Sequence, residues 1–253
     1  MDLSFFSAWL DDLLQPKLFK DYCVNGLCVE ANDKVTKVVT GVSFRDKLID
    51  LAIENEADCI IVHHPNGFWN GEDRIPVGHY GERIRKLMQH GISLYGFHLP
   101  LDGHMEIGNN AIIARALGLH IVDGFMQEGE KKVGCIGEWE SPASVAEFIE
   151  CVESAFPCGI QNKFLYGSEK IKRVAICSGS GASGLQEAIS IGCDAYVTGD
   201  IKESVPIEVE ESGFNLVSCG HHRTEIFGIN ALAEKIETEL NIPSSFFDID
   251  NPI

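Results

Sequence analysis

Three short polar segments each follow an apolar run and carry histidine or carboxylate side chains. They are His63-His64 after residues 59–62, His98 to Asp102 after residues 92–97, and His221 to Glu225 after residues 215–219. The runs are typical of strands, and the carboxyl ends of strands in an open α/β sheet are where ligands bind. The pattern therefore predicts a metal site assembled at one sheet edge.

The residue types indicate which ions the site would take. Imidazole nitrogens and carboxylate oxygens suit Zn, Mn, Fe or Ni, whereas a closed structural zinc site more often uses paired thiolates. None of the nine cysteines forms a Cys-x-x-Cys pair. His221 and Glu225 are four residues apart, so on a helical turn both can bind one ion. His98 and Asp102 have the same spacing, but Pro100 between them favours a loop.

Five ligands from three segments are more than one catalytic ion usually takes from a protein, so a pair of ions bridged by a carboxylate is expected. Two divalent ions bring four positive charges, and Asp102 and Glu225 offset two of them. The surplus would lower the pKa of a bridging water and attract an anionic substrate such as a phosphate ester. The charge count therefore predicts a hydrolytic site. The expected cofactors are two divalent ions per chain, from among Zn, Mn, Fe, Ni or Mg.

Composition limits the classes of protein and partner. With 253 residues and 45% hydrophobic content, the chain can bury one large core or two small ones. The 38 acidic and 20 basic residues give a net charge of −18, which opposes binding to nucleic acid or an anionic membrane. Residues 3–14 have the spacing of an amphipathic helix rather than a leader. Nine scattered cysteines suit a reducing compartment, so we expect a cytoplasmic protein.

Predicted strands and helices alternate along the chain. The strands are residues 36–42, 58–62, 92–97, 133–139, 171–177, 194–198, 215–219 and 245–249. The helices are residues 44–56, 80–90, 108–118, 143–155, 183–191, 202–212 and 226–240. Such alternation predicts parallel β-sheet covered by helices.

The order of elements repeats within the chain. A strand-helix-strand-helix-strand series runs through residues 1–120 and again through residues 171–253, with residues 121–170 as a connector. Each series places polar groups at the ends of corresponding strands. We therefore predict an α/β fold of two pseudo-symmetric halves with mainly parallel sheets, built as two domains or as one compact unit. The metal site is expected between the halves, at the carboxyl ends of the strands.

A glycine-rich motif offers a competing interpretation. Residues 179–184 spell G-x-G-x-x-G before a predicted helix, and Asp200 follows at the end of the next strand. This resembles a dinucleotide-binding motif but leaves the histidines and carboxylates unexplained. A backbone nest for a substrate phosphate and a tight turn without a ligand are the two alternatives.

Other polar and aromatic residues have simpler interpretations. His222 is expected to cap or pack, and Asp200 to cap a helix that starts near residue 201 or to support the metal ligands. Segment 66–80 is glycine-rich with the exposed-looking aromatics Phe68 and Trp69, which indicates a loop over the site or a subunit contact.

Three motifs, in this order and at these separations, resemble the GTP cyclohydrolase I type 2 homologue family, also called the Nif-three-like proteins. They are Val62-His63-His64-Pro65, Gly96-Phe97-His98-Leu99-Pro100-Leu101-Asp102 and Gly220-His221-His222-Arg223-Thr224-Glu225. The resemblance runs from about residue 5 to the carboxyl terminus and is to the short bacterial members, which lack an inserted domain.

The resemblance implies a dinuclear metal centre in a ring-shaped homohexamer. The family's ligands correspond to His63, His64, Asp102, His221 and Glu225, with Glu225 as the bridge. The family name implies opening of the guanine imidazole ring of GTP by a metal-bound hydroxide. His98 is expected to act as the general acid or base.

Three functional classes remain open at this point. The first is a metal-dependent hydrolase of a nucleotide or small phosphorylated molecule, with GTP as one candidate substrate. The second is a non-catalytic protein that binds or delivers metal or contacts a partner. The third, suggested by the glycine motif, is a nicotinamide enzyme.

Overall fold

A computed structural model describes residues 1–71, 75–156 and 158–253. The strands described are β1 Gly26–Val29, β2 Val38–Ser43, β3 Cys59–His64, β4 Ser93–Gly96, β5 His120–Glu128, β6 Lys131–Ser144, β7 Asn162–Leu165, β8 Lys170–Cys177, β9 Ala195–Thr198, β10 Asn215–Ser218 and β11 Ser244–Phe246. The α-helices are α1 Leu3–Leu14, α2 Asp46–Glu54, α3 Gly78–His90, α4 Leu99–Asp102, α5 Asn109–Ala116, α6 Val145–Ala155, α7 Leu185–Ser190, α8 Val205–Ser212, α9 His221–Thr224 and α10 Ile226–Leu240. Every predicted helix and strand overlaps an observed element of the same type.

The chain divides into two compact units that do not follow chain order. The first comprises Met1–Leu101 and Gly228–Asp250, and the second comprises Asp102–Phe227 and Asn251–Ile253. The predicted division at residues 120 and 170 was drawn along the sequence alone. The units differ from it because β11, near the carboxyl terminus, pairs in parallel with β2 in the sheet of the first unit.

The sheet of the first unit has the strand order β1-β4-β3-β2-β11. Strands β4, β3, β2 and β11 are parallel, and β1 is antiparallel to β4 at one edge. Residues Cys59 to His63 of β3 are all buried, as expected for a parallel strand with both faces covered. Helix α2 packs Leu48, Ile49 and Ala52 into this core.

The sheet of the second unit has the order β5-β6-β8-β9-β10-β7. Strands β8, β9 and β10 are parallel, whereas β5, β6 and β7 pair antiparallel with their neighbours. Strands β5 and β6 form a hairpin in the region expected to be a connector. They join the sheet because β6 buries residues such as Cys135 and Ile136, which are only 1% and 2% exposed.

The predicted repeat is present and is longer than expected. The series β2-α2-β3-α3-β4 recurs as β8-α7-β9-α8-β10. In both units the strand that precedes the series, β1 or β7, pairs antiparallel with its last strand. These preceding strands were not predicted because each has four residues with no regular alternation of burial. Among the residues described, none of the helices is both long enough and apolar enough to cross a membrane.

Candidate metal centre

His63 and His64 end strand β3 in the first unit. His63 is fully buried, and its Nδ1 donates a hydrogen bond to the backbone oxygen of Phe97 at 3.0 Å. Because a carbonyl oxygen only accepts, the proton of a neutral His63 ring is on Nδ1, and Nε2 carries the lone pair that can bind a metal. The Nδ1 atom of His64 lies 3.4 Å from the hydroxyl oxygen of Ser43. The fold therefore orients both rings from their Nδ1 side.

His98 follows β4 and is held by Asp21, a residue that the sequence did not single out. The Nδ1 atom of His98 donates to the two Asp21 carboxylate oxygens at 3.0 and 3.2 Å. Asp21 also accepts from the side-chain amide of Asn25 at 2.9 Å and from the backbone N–H of Leu99 at 3.0 Å. Burial would raise the pKa of Asp21, but these hydrogen bonds and the charge of His98 outweigh it and lower the pKa to about 2.

Three imidazoles meet in the first unit. One ring nitrogen from each of His63, His64 and His98 lies within 4.8 Å of the other two, close enough for the group to hold a metal ion. Asp21, Cys23 and His98 form a second such group. His98 was expected to assist the chemistry, and the structure places it directly beside two predicted ligands.

Asp102 lies in the second unit, at the end of α4. Its Oδ1 atom accepts hydrogen bonds from the Asn109 amide at 2.8 Å and the Ser178 hydroxyl at 3.0 Å. A loop was expected here because of Pro100, but residues 99–102 form one helical turn. Pro100 is its second residue, where a missing backbone N–H costs nothing. The two donors fix the carboxylate through its Oδ1 atom.

His221 and Glu225 lie on and just after α9, at the predicted helical spacing. The Nδ1 atom of His221 donates to Asp200 Oδ2 at 2.7 Å, and its Nε2 atom donates to Glu225 Oε1 at 3.2 Å. Burial lowers the pKa of His221, but the hydrogen bonds and charges of both carboxylates outweigh it and raise the pKa to about 10. A carboxylate oxygen of Glu225 also lies within 4.8 Å of one from Asp102.

Asp200 and His222 lie near this site, and two interpretations had been expected for each of them. Asp200 does not cap a helix at residue 201, because α8 begins only at Val205. It supports His221 instead, which was the second alternative. His222 is buried, and its backbone N–H donates to the backbone oxygen of Ile253 at 2.9 Å, in keeping with a packing role.

The glycine-rich motif packs against this set of side chains. Gly179 has a φ of +59°, and a Cβ atom there would lie 2.1 Å from Glu225 Oε1 and 3.2 Å from His221 Nε2. A Cβ on Gly181 would lie 2.7 Å from the Tyr196 hydroxyl. Close packing by itself therefore accounts for glycine at these two positions, which supports the interpretation as a tight turn.

The aromatic segment after His64 also differs from its prediction. Phe68 is 6% exposed and belongs to the core of the first unit, so it is not a surface residue. Trp69 is half-buried and contacts the rings of His64 and His98 at centroid distances of 5.9 and 5.3 Å. Residues 72–74 of the predicted loop lie outside the described residues.

The two units thus offer donors of different chemistry. The first supplies imidazole nitrogens from His63, His64 and His98, and the second supplies the carboxylates of Asp102 and Glu225 with one imidazole, His221. In the second unit His221 Nε2 and Glu225 Oε1 lie 3.2 Å apart, so one ion could bind both residues once Nε2 is deprotonated. Such donors suit divalent ions of the Zn, Mn, Fe and Ni group.

Comparisons with known proteins show to which family the chain belongs. The model of the family Duf34/NIF3 (NGG1p interacting factor 3) matches residues 1–252. A Vibrio cholerae protein named GTP cyclohydrolase 1 type 2 homolog is 39% identical over 249 residues, which cover 97% of each chain. The protein of the same name from Neisseria meningitidis serogroup B is 38% identical over 247 residues, which cover 98% of this chain and 97% of that one.

Solved structures show the same fold. Protein ybgI, described as of unknown function, superposes with a TM-score of 0.92 at 35% identity over 100% of both chains. Protein TTHA1606 from Thermus thermophilus superposes with a TM-score of 0.89 at 34% identity, also over 100% of both chains. The sequence motifs, the fold and these relatives agree, and the chain belongs to the Duf34/NIF3 family.

Proposed function

We propose that this protein is a metal-dependent hydrolase that holds two divalent ions and acts on a nucleotide or another small phosphorylated molecule. The proposed ligands are His63, His64, Asp102, His221 and Glu225. The name of the relatives, GTP cyclohydrolase 1 type 2 homolog, makes GTP the first substrate to test.

The observation that carries the proposal is the support behind the ligands. Each proposed ligand histidine has a polar atom beside Nδ1, from Phe97, Ser43 or Asp200. Asp102 is fixed through one carboxylate oxygen by Asn109 and Ser178. Metal ligands in proteins are oriented by such outer partners, which select the tautomer and fix the ring plane. Side chains that only pack would not need this pattern at four of the five proposed ligands.

The chemistry follows from the donors and their neighbours. Bound divalent ions would supply Lewis acidity and lower the pKa of an attacking water. Two carboxylates offset only part of the charge of two such ions, so the site would attract an anionic substrate. His98 has its Nδ1 held by Asp21, which leaves Nε2 to take a proton from the nucleophile and return it to the leaving group.

Metal analysis combined with turnover tests this proposal. Protein purified without chelator is expected to hold about two divalent ions per chain and to turn over GTP or a simple phosphate ester. His98→Ala should lower turnover by about 10²–10⁴-fold and leave the metal content unchanged, because it removes only acid-base assistance. Asp102→Ala should lower both quantities.

The order of these effects separates the candidate functions. If His98→Ala removes metal as fully as Asp102→Ala, His98 is itself a ligand. If wild-type protein holds two ions but turns over no substrate faster than the Asp102→Ala variant, the non-catalytic metal-binding function replaces the hydrolase.

The family resemblance also leads us to propose a homo-oligomer, with a ring-shaped hexamer as the expected form. Light scattering at micromolar concentration should then give a mass several times the 27.8 kDa of one chain. A clean monomer would contradict this part of the proposal.

A further inference from the structure

An aromatic pair stands beside the three histidines of the first unit. Tyr22 and Trp69 stack with ring centroids 5.5 Å apart and an interplanar angle of 27°. Trp69 in turn meets His98 edge-on at 5.3 Å, and Tyr22 meets His98 at 5.2 Å with an angle of 69°. We refer to Tyr22 and Trp69 together as the aromatic platform.

The platform is fixed by backbone hydrogen bonds between two segments distant in sequence. Cys23 and Trp69 form an antiparallel bridge, Asn70 N–H donates to the Tyr22 oxygen at 2.6 Å, and Val24 N–H donates to the Phe68 oxygen at 3.1 Å. Asp21, the residue before Tyr22, holds His98. The ring of Tyr22 is therefore tied to the position of His98 through one peptide bond and one ion pair.

Tyr22 nevertheless remains 59% exposed. A tyrosine that only filled the core would be buried, as Tyr95 and Tyr196 are at 0%. Aromatic rings are good binding surfaces because they offer a large, rigid apolar area at little cost in conformational entropy. A rigid platform that keeps an exposed ring within 5.2 Å of a histidine of the site is suited to a planar ring of a ligand.

We propose that the aromatic platform of Tyr22 and Trp69 binds the base of a nucleotide by stacking, next to the histidines. The proposal rests on the proposed function and specifies its substrate class. Cations held by the histidines would attract the phosphate of a nucleotide, and the aromatic rings would stack on its base. The histidines and the platform therefore match the two parts of one nucleotide. A sugar phosphate without a base would use only the first feature.

Calorimetric binding of two probes to metal-loaded, full-length protein tests the proposal. Guanosine 5′-monophosphate carries a base and ribose 5-phosphate does not. Stacking of a base on an aromatic side chain is expected to make the nucleotide bind about 5- to 150-fold more tightly. Tyr22→Ala should remove most of this difference while the affinity for ribose 5-phosphate and the metal content stay unchanged.

Two further variants show whether the ring itself is responsible. Tyr22→Phe keeps the ring and loses only the hydroxyl, so it should retain the difference between the probes. Tyr166→Ala removes a tyrosine that is 49% exposed in the second unit, and it should also retain the difference. Loss of the difference in either variant would overturn stacking on Tyr22 as its cause.

The remaining outcomes distinguish failure of this inference from failure of the proposed function. Normal metal content with equal affinity for both probes would overturn the platform and leave the metal site intact. Protein without metal would overturn the proposed function first. If Tyr22→Ala instead lowers the mass found by light scattering, Tyr22 contacts a second copy of the chain and the proposal fails.

Discussion

The two units contain the same histidine-carboxylate pair at corresponding places, built from different parts of the chain. In the first unit His98 follows β4 and donates through Nδ1 to Asp21 at 3.0 Å. In the second unit His221 follows β10 and donates through Nδ1 to Asp200 at 2.7 Å. Asp200 lies at the end of the neighbouring strand of the repeat, whereas Asp21 precedes the repeat altogether.

The units differ in the other side chains that contact His98 and His221. His98 meets the imidazoles of His63 and His64, while His221 meets the carboxylate of Glu225. In the first unit His98 therefore lies among imidazole nitrogens, whereas in the second unit His221 lies between the carboxylates of Asp200 and Glu225. The repeated backbone places polar residues at corresponding positions in both units. The types of those residues then decide which donors each unit contains.

Of the changes that test this difference between the units, removal of the Glu225 charge should have the largest effect on metal content. Glu225→Gln keeps the shape but takes away the carboxylate that we propose as the bridge, so both ions should be lost together. Elemental analysis should fall from about two ions per chain to less than about half an ion. The exposed Glu237→Gln on α10 serves as the matched control and should keep both ions. Loss of a single ion would show that Glu225 is not the bridge.

Matched substitutions of the two aspartates test whether the pairs have separate tasks. Asp200→Asn weakens the support of a proposed ligand, so metal affinity should fall by about 10–100-fold. Asp21→Asn acts on His98, which we propose for proton transfer, so turnover should fall while metal affinity stays the same. Competition with a metal-binding dye measures the affinities. Equal losses of metal affinity in both variants would mean that the units use their pairs in the same way.

The Asp21 pair should also contribute stability that depends on pH. Folding lowers the pKa of this buried carboxyl from 3.8 to about 2, which corresponds to about 2 kcal/mol in favour of the folded state when Asp21 is ionised. A carboxyl group whose pKa is lowered by folding stabilises the fold at every pH above its pKa in the unfolded chain. This contribution is lost as the pH falls from about 4 toward 2.

Urea unfolding of chelator-treated protein measures this contribution. The free energy of unfolding should be about 2 kcal/mol lower for Asp21→Asn than for wild type from pH 7 to pH 5, with about half of the difference left at pH 3. Asp12→Asn, an exposed site on α1, should change stability little at any of these pH values. A difference that does not vary with pH would contradict the lowered pKa.

Local patterns were enough to predict the repeated elements. Strand β3 is a continuous apolar run that ends in two histidines, and α1 buries Leu3, Phe6, Leu10 and Leu14 at helical spacing. Both signals lie within a few neighbouring residues, because side chains repeat along a helix or a strand with a fixed period. The same patterns correctly placed His63, His64, His98 and His221 at strand ends.

Features that depend on contacts between distant segments gave no such signal. Asp21 stands outside any predicted element and reaches His98 from 77 positions away. Phe68 looked exposed among glycines, but it packs with Phe44, whose ring centroid is 6.5 Å away. The edge strands β1 and β7 are too short to show a period, and their partners β4 and β10 supply the hydrogen bonds that define them.

The sequence by itself determined the order of elements, the repeat and which histidines and carboxylates are candidates for metal binding, because these depend on residue types and on short-range spacing. Only the tertiary structure decided how those side chains are oriented. Phe97 and Asp21 orient His63 and His98, and Asn109 fixes Asp102. Hydrogen bonds select a tautomer and a ring orientation only after the fold has brought donor and acceptor within about 3 Å.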